Sequence, residues 1–259
     1  MLDDVQLAIA GRPKGTRLVF LSDYDGTLAE FDPDPTIPRP SPETSALLSQ
    51  LAHRQDLSLG IVSGRRVADL RTRTQLPSRV YLAGLHGMEI EVGTARWQHP
   101  DLGAAREHVR ALIEQLEPIR ENIPGLLLED KDASIAVHVR NVEPDRRVAG
   151  LAEADAVASR FVTSGLLRRL TGNLVLEFLP NIACHKGDAT RWIAHDVKHR
   201  CGQPPWVVFV GDDVTDEDAF TAIKDGASVL VGSRPSAAQY QLNNTRDVNA
   251  LMSWVAREG

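Results

Sequence analysis

The chain has 259 residues, 42% of them apolar and 25% charged, enough to bury a sizeable core in one large domain or two smaller ones. A formal net charge of −6 argues against an electrostatic nucleic-acid binder, and no apolar stretch approaches the roughly 20 residues of a membrane-spanning helix. Cys184 and Cys201 make neither a disulfide framework nor a zinc site, and both are expected to be small buried thiols.

In chain order, the first eleven residues carry Asp3 and Asp4 and lack a basic lead into a long apolar stretch. No signal peptide is therefore evident, and a cytoplasmic location is expected. Arg17–Leu21 is a short apolar run read as a buried strand. It runs into "LSDYDGTL" (21–28), where Asp23 and Asp25 are two apart and followed by Gly26 and Thr27. Like charges so close repel unless something positive stands between them. Asp25-Gly26 would also close an ordinary turn with no chemistry at all. "FDPDPTIPRPSPE" (31–43) is too rich in proline for regular structure and long enough to act as a flap. Ser41-Pro42 reads as an N-cap and first-turn proline, opening a helix with Leu47, Leu48 and Leu51 on one face. Asp56–Val62 is a second buried strand, ending at Ser63-Gly64-Arg65.

Residues 98–180 follow a different pattern and read as an insert between 1–97 and 181–259. Leu102–Arg120 is helical, "GLLLEDK" (125–131) and "SIAVHVR" (134–140) are strands, and Pro144–Phe161 is helical again. "LLRRLTGNLVLEFLP" (166–180) then makes a hairpin with Gly172-Asn173 as its two-residue turn. This is helix, strand, strand, twice over: a compact α+β module. Lys186-Gly187 opens a helix to about His199, and Trp206–Val210 is a third buried strand ending at "GDDVTDED" (211–218). The flanking parts are expected to form one α/β domain with a Rossmann-like parallel sheet.

Ligands of an open parallel sheet lie beyond the carboxyl ends of its strands, where three of these polar clusters fall. Each has a reading without chemistry: Ser63 as a helix N-cap, Lys186 as a solvated lysine, the acidic run as a favourable helix start. Together, Asp23, Asp25 and the Asp212/Asp213 pair supply oxygen ligands suited to Mg²⁺ with a substrate phosphate. Ser63 and the helix start behind it offer donors to phosphoryl oxygens. Lys186 offers a positive charge for a phosphoryl-transfer transition state.

In order and spacing these motifs resemble the haloacid dehalogenase superfamily of phosphohydrolases, and the insert resembles that superfamily's C2-type cap. More narrowly, "SGR" (63–65), "GLHGMEI" (84–90), "EDKDASIAVHVR" (129–140), "LEFLP" (176–180) and "GDDVTDEDAF" (211–220) are similar to trehalose-6-phosphate phosphatases. One departure is His185, where a smaller polar residue is expected before the lysine. The resemblance implies that Asp23 attacks phosphorus and that Asp25 protonates the leaving sugar and then activates water. It implies Mg²⁺ on Asp23, the Asp25 carbonyl and Asp212, with Asp213 and Asp216 tuning the metal's waters or holding Lys186. Thr27 would position Asp25 or touch phosphate, and Arg65 and His86 would contact substrate, although a Gly-x-x-Gly turn around His86 needs no function.

In the insert, strand parity places Glu129 with Lys131 and His138 with Arg140. Glu177 stands between Leu176 and Phe178, where a carboxylate is costly without a partner. Solvated charges are the plain reading, but the resemblance implies that Glu129, Lys131, Arg140 and Glu177 bind the second glucose of a disaccharide. The expected activity is a monomeric, Mg²⁺-dependent phosphatase for trehalose 6-phosphate. The alternatives are a phosphatase for sucrose 6-phosphate or a glycosylglycerate phosphate, a phosphomutase, and a non-catalytic sugar-phosphate sensor.

Overall fold

The computed structural model describes residues 2–32, 34 and 36–258. Met1–Trp97 with Cys184–Gly259 make one compact unit, and Gln98–Ala183 make a second. The first is built on β1 (Leu18–Ser22), β2 (Leu57–Val62), β3 (Tyr81–Gly84), β4 (Glu89–Val92), β5 (Ala95–Gln98), β10 (Trp206–Gly211), β11 (Gly226–Val231) and β12 (Tyr240–Leu242). Their order is β12-β11-β10-β1-β2-β3-β4-β5. Neighbours pair in parallel from β12 to β3, and β4 returns antiparallel to β3. The chain leaves the central β1 toward β2 and later comes back to β10 on its other side, so the order reverses there. That reversal opens a crevice at the carboxyl ends of β1 and β10.

β1 is buried along its whole length because it is covered on both faces. Leu18 and Phe20 point into a core shared with α1 (Leu2–Ala10), α2 (Pro42–His53), α3 (Val67–Thr74) and α8 (Thr245–Glu258). Val19 and Leu21 point the other way, toward α6 (Lys186–Cys201) and α7 (Glu217–Ala222). Each such side chain removed from water contributes roughly 1.5–3 kcal/mol before the entropy of ordering it is counted. The Ser41 N-cap accepts from Thr44 N at 3.0 Å, with proline at the first helical position.

The second unit has α4 (Leu102–Asn122), β6 (Leu127–Asp130), β7 (Ile135–His138), α5 (Arg147–Thr163), β8 (Leu167–Gly172) and β9 (Val175–Pro180). Its sheet runs β6-β7-β9-β8, antiparallel throughout. Ile135, Val137, Leu176 and Phe178 pack against both helices. The opposite parity, including Glu129, His138 and Glu177, lies on the other face of the sheet.

Three expectations change. Gly172 pairs with Val175 as the last residue of β8, so the hairpin turn is Asn173-Leu174, with Leu174 at φ +60. α5 begins at Arg147, three residues after Pro144. Cys201 is exposed, because it ends α6 just before the left-handed Gly202, where the helix runs out into solvent. Cys184 is buried as expected, and burial pushes its thiol up to about 11. In the proline-rich segment, Pro33 and Pro35 lie outside the described residues. Its far end is tied down, since Pro38 O accepts from Tyr24 Oη at 3.2 Å and from Arg73 Nη1 at 2.6 Å. No helix among the described residues is long and apolar enough to cross a membrane.

Candidate active site

Asp23 follows β1 directly, with its N–H donating to Val210 O at 2.8 Å across the crevice. Lys186 opens α6 and is 3% exposed, so it is no solvated surface lysine. Its Nζ donates to Asp23 Oδ1 at 2.8 Å and to Asp216 Oδ1 at 2.6 Å, and those carboxylates are 5% and 0% exposed. Burial alone would lower the Lys186 pKa, but Asp216 and Asp23 reverse the direction, and the ammonium stays charged. Asp23 is raised well above the usual carboxylate range, by burial first and then by Asp216 and Asp212, against the pull of Lys186. Asp212 is pushed up to about 6 by burial and by Asp216.

One carboxylate oxygen each from Asp23, Asp212 and Asp216 lie within 4.8 Å of one another. Asp216 has both oxygens occupied, one by Lys186 and the other by the Asp213 N–H at 2.9 Å. Asp23 Oδ2 and Asp212 Oδ2 accept no hydrogen bond among the described residues. Two buried carboxylates and a half-buried one, with one lysine, leave excess negative charge in an all-oxygen setting, which fits a hard divalent cation. Asp213 does not reach Lys186. It is exposed and accepts from Thr215 Oγ1 at 3.1 Å.

Thr27 was expected to position Asp25 or touch phosphate, and it instead donates Oγ1 to Asp212 Oδ1 at 3.1 Å. Gly26 between them has φ +77, and a Cβ there would stand 2.1 Å from Asp212 Oδ2. No side chain fits on that count, and the backbone conformation disfavours one as well. Asp25 turns the other way, into the guanidinium of Arg65: Nε to Oδ2 and Nη2 to Oδ1, each 2.7 Å.

Ser63 is buried at the end of β2, its Oγ accepting from Arg65 N at 3.2 Å. It is not the N-cap of α3, which starts four residues later. The first N–H of that helix, from Val67, donates to Glu89 Oε1 at 2.6 Å, so this donor is not left for a phosphoryl oxygen. The "GLHG" turn lies against the same loop, with Leu85 N on Arg65 O at 2.9 Å and His86 N on Ser63 O at 3.0 Å. Leu85 and His86 take φ +51 and +58, and two successive left-handed non-glycine residues store strain of the kind found at functional sites. A Cβ on Gly64 would meet His86 Nε2 at 2.8 Å, so the ring stands directly over the Ser63 loop. His185, the unexpected residue before the lysine, heads α6, and its N–H donates to Asp188 Oδ2 at 3.1 Å.

In the second unit, Lys131 Nζ lies 3.2 Å from Glu177 Oε1 and 3.8 Å from Glu129 Oε2. Ser134 Oγ donates to Glu177 Oε1 at 2.9 Å, and His138 Nε2 stands 2.9 Å from Glu129 Oε2. Three of the four expected residues therefore converge, while Arg140 lies two residues beyond the end of β7. Ser134 and His138 were legible only as members of the same parity. Arg234 was not anticipated. It donates Nε to Asp212 O at 2.9 Å, binds Asp213 O and pairs with Glu217, fastening the acidic loop. No local motif announces it.

The family described as trehalose-phosphatase matches residues 21–249, which takes in every candidate site residue above. The chain belongs to the trehalose-phosphatase family. The trehalose-phosphate phosphatase of Mycobacterium marinum is 34% identical over 249 residues, covering 92% of this chain and 62% of the relative. That of Mycobacterium avium is 33% identical over 257 residues, covering 94% and 64%. The chain thus spans about three fifths of the length of these curated relatives. Among solved structures, the C-terminal domain of C. albicans trehalose-6-phosphate phosphatase superposes with a TM-score of 0.76 at 22% identity, covering 93% of both chains. A haloacid dehalogenase-like hydrolase from Bacteroides thetaiotaomicron gives 0.64 at 15% identity, covering 93% and 99%. At these identities the two likenesses speak for the fold: the chain has the α/β architecture of haloacid dehalogenase-like hydrolases. Within the family, the Asp23–Lys186–Asp216 cluster is the candidate reactive centre.

Proposed function

We propose that this chain is a Mg²⁺-dependent phosphatase converting trehalose 6-phosphate to trehalose and inorganic phosphate. The observation that carries the reading is Asp23, buried at the end of the central strand with Lys186 on one oxygen and no hydrogen-bond donor on the other among the described residues. Asp23 Oδ2 attacks phosphorus, the phosphorus–oxygen bond to the sugar breaks, and the leaving oxygen takes a proton from Asp25. For that transfer one Asp25 oxygen exchanges the Arg65 guanidinium for the leaving oxygen. Asp25 then draws a proton from water, which attacks the aspartyl-phosphate, releasing phosphate and restoring Asp23. Lys186 remains protonated throughout and offsets charge on the transferring group. Asp23, Asp212 and the Asp25 carbonyl would hold the Mg²⁺, leaving Asp216 to hold Lys186. Bound there, the ion would neutralise the repulsion between the carboxylates and a phosphate dianion.

The polar face around Glu129, Lys131 and Glu177, with Arg140, is read as the element that recognises the disaccharide. The test is phosphate release from trehalose 6-phosphate, sucrose 6-phosphate, glucose 6-phosphate and a small aryl phosphate, for the wild type and Glu177→Ala. Trehalose 6-phosphate should have the highest kcat/KM. The variant should lose about 1–3 kcal/mol of transition-state binding on it and almost nothing on the aryl ester. A flat profile across the panel would overturn the substrate assignment.

The metal assignment has its own check. Excess chelator should stop turnover, and Mg²⁺ should restore it better than Ca²⁺, which takes more ligands at longer distances and loosens the alignment of nucleophile and phosphate. Full activity in chelator would remove the metal.

A further inference from the structure

Asp25 stands at one end of a relay of alternating charges that the proposed reaction does not itself consume. Arg65 holds both Asp25 oxygens at 2.7 Å and sends its third nitrogen, Nη1, to Asp69 Oδ2 at 3.1 Å. Asp69 in turn accepts Arg73 Nε on its two oxygens, at 2.7 and 2.8 Å. Arg73 Nη1 ends the chain on Pro38 O at 2.6 Å and Thr36 O at 3.2 Å. The Tyr24 ring lies 5.3 Å from the Arg65 guanidinium, and its hydroxyl shares the Pro38 carbonyl.

Asp69 and Arg73 are one turn apart on α3, so a single helix face presents both. An exposed pair of this kind contributes only a few tenths of a kcal/mol. Here the two arginine side chains are only 11% and 8% exposed, and each guanidinium is tied to neighbours on two sides. Burying them this far is favourable only because every charge has a partner of opposite sign. The arrangement fixes the plane of the Arg65 guanidinium, and that plane fixes the Asp25 carboxylate.

We propose that Asp69 and Arg73 are positioning residues for Asp25, acting through Arg65, and that Arg65 belongs to this relay rather than to the sugar. The proposal rests on the reading of Asp25 as the group that acts on the leaving oxygen. A displacement of about 1 Å at such a group can cost on the order of a hundredfold in rate.

The experiment compares the full chain with Asp69→Asn, Asp69→Glu and Arg73→Gln, in Mg²⁺, by steady-state kinetics on trehalose 6-phosphate and by NMR of the Arg65 Nε–Hε group. Asp69→Asn should lower kcat roughly 10–100-fold with KM changed less than about twofold, and Asp69→Glu should recover most of the loss. The Arg65 Nε–Hε signal should exchange slowly in the wild type, and should shift or vanish in Asp69→Asn and Arg73→Gln. A kcat within twofold of wild type, a loss confined to KM, or an unmoved Arg65 signal would each overturn the proposal. Should Asp69→Asn fail to fold, Arg73→Gln carries the same comparison. Should the wild type prefer another phosphate ester, the comparison moves to that ester, and the substrate reading fails without the relay.

Discussion

Asp23→Asn is expected to abolish turnover, by more than about a thousandfold, while the fold is kept. The amide is nearly isosteric with the carboxylate and still offers Lys186 Nζ an acceptor where Asp23 Oδ1 now stands at 2.8 Å. It cannot attack phosphorus. The site around it should survive because Asp23 is set by backbone, through its N–H on Val210 O, and not by its own charge. Single-turnover assays with circular dichroism melts on both proteins decide the matter. If the variant keeps a tenth of the wild-type rate, the covalent route through Asp23 is wrong.

The second large effect is on stability. Lys186→Met should keep the volume of the side chain and leave Asp23 and Asp216 buried without their counter-charge. Breaking a buried pair in this way costs on the order of 3–5 kcal/mol, or a fall in Tm on the order of 10 °C for a chain of this size. The sign of the pH dependence follows from Asp23. Burial first, then its acidic neighbours, already raise its folded pKa above the value near 3.8 of an ordinary Asp, and removing Lys186 raises it further. A group raised on folding favours the folded state below its unfolded pKa, and that support is lost as pH rises through the folded value. The gap between variant and wild type should therefore be widest near neutrality and close as pH falls toward 4. Measured without metal, thermal melts between pH 4 and 7.5 test this, and a gap that widens toward low pH would contradict the charge assignment. Activity of Lys186→Met should be lost at every pH.

What the sequence determined by itself was three of the core strands and the chemistry placed at their ends; β3 and β11 were not anticipated. Leu18–Ser22, Leu57–Val62 and Trp206–Gly211 are dominated by apolar residues, with Ser22 and Ser58 the polar exceptions, as a strand covered on both faces requires. Asp23, Asp25, Ser63, Lys186 and Asp212 were legible because a turn directly after such a strand, or a helix start, has nowhere else to send its polar side chains. The helix-strand-strand pattern of the insert, twice over, was legible too, most clearly where Ile135 and Val137 alternate with Ser134, Ala136 and His138.

The tertiary structure alone decided which charge meets which. Thr27 on Asp212, Arg65 on Asp25, Glu89 on the start of α3 and Arg234 on the acidic loop join residues from 22 to 185 positions apart. No local spacing encodes such contacts; they follow from strand order and register, which bring loops of distant origin to one crevice. The hairpin turn went to Asn173-Leu174 for the same reason, because the pairing of Gly172 with Val175 is set by which face of β8 and β9 the helices cover. Local propensity names the residues able to carry charge or make a turn, and only the packed sheet assigns each its partner.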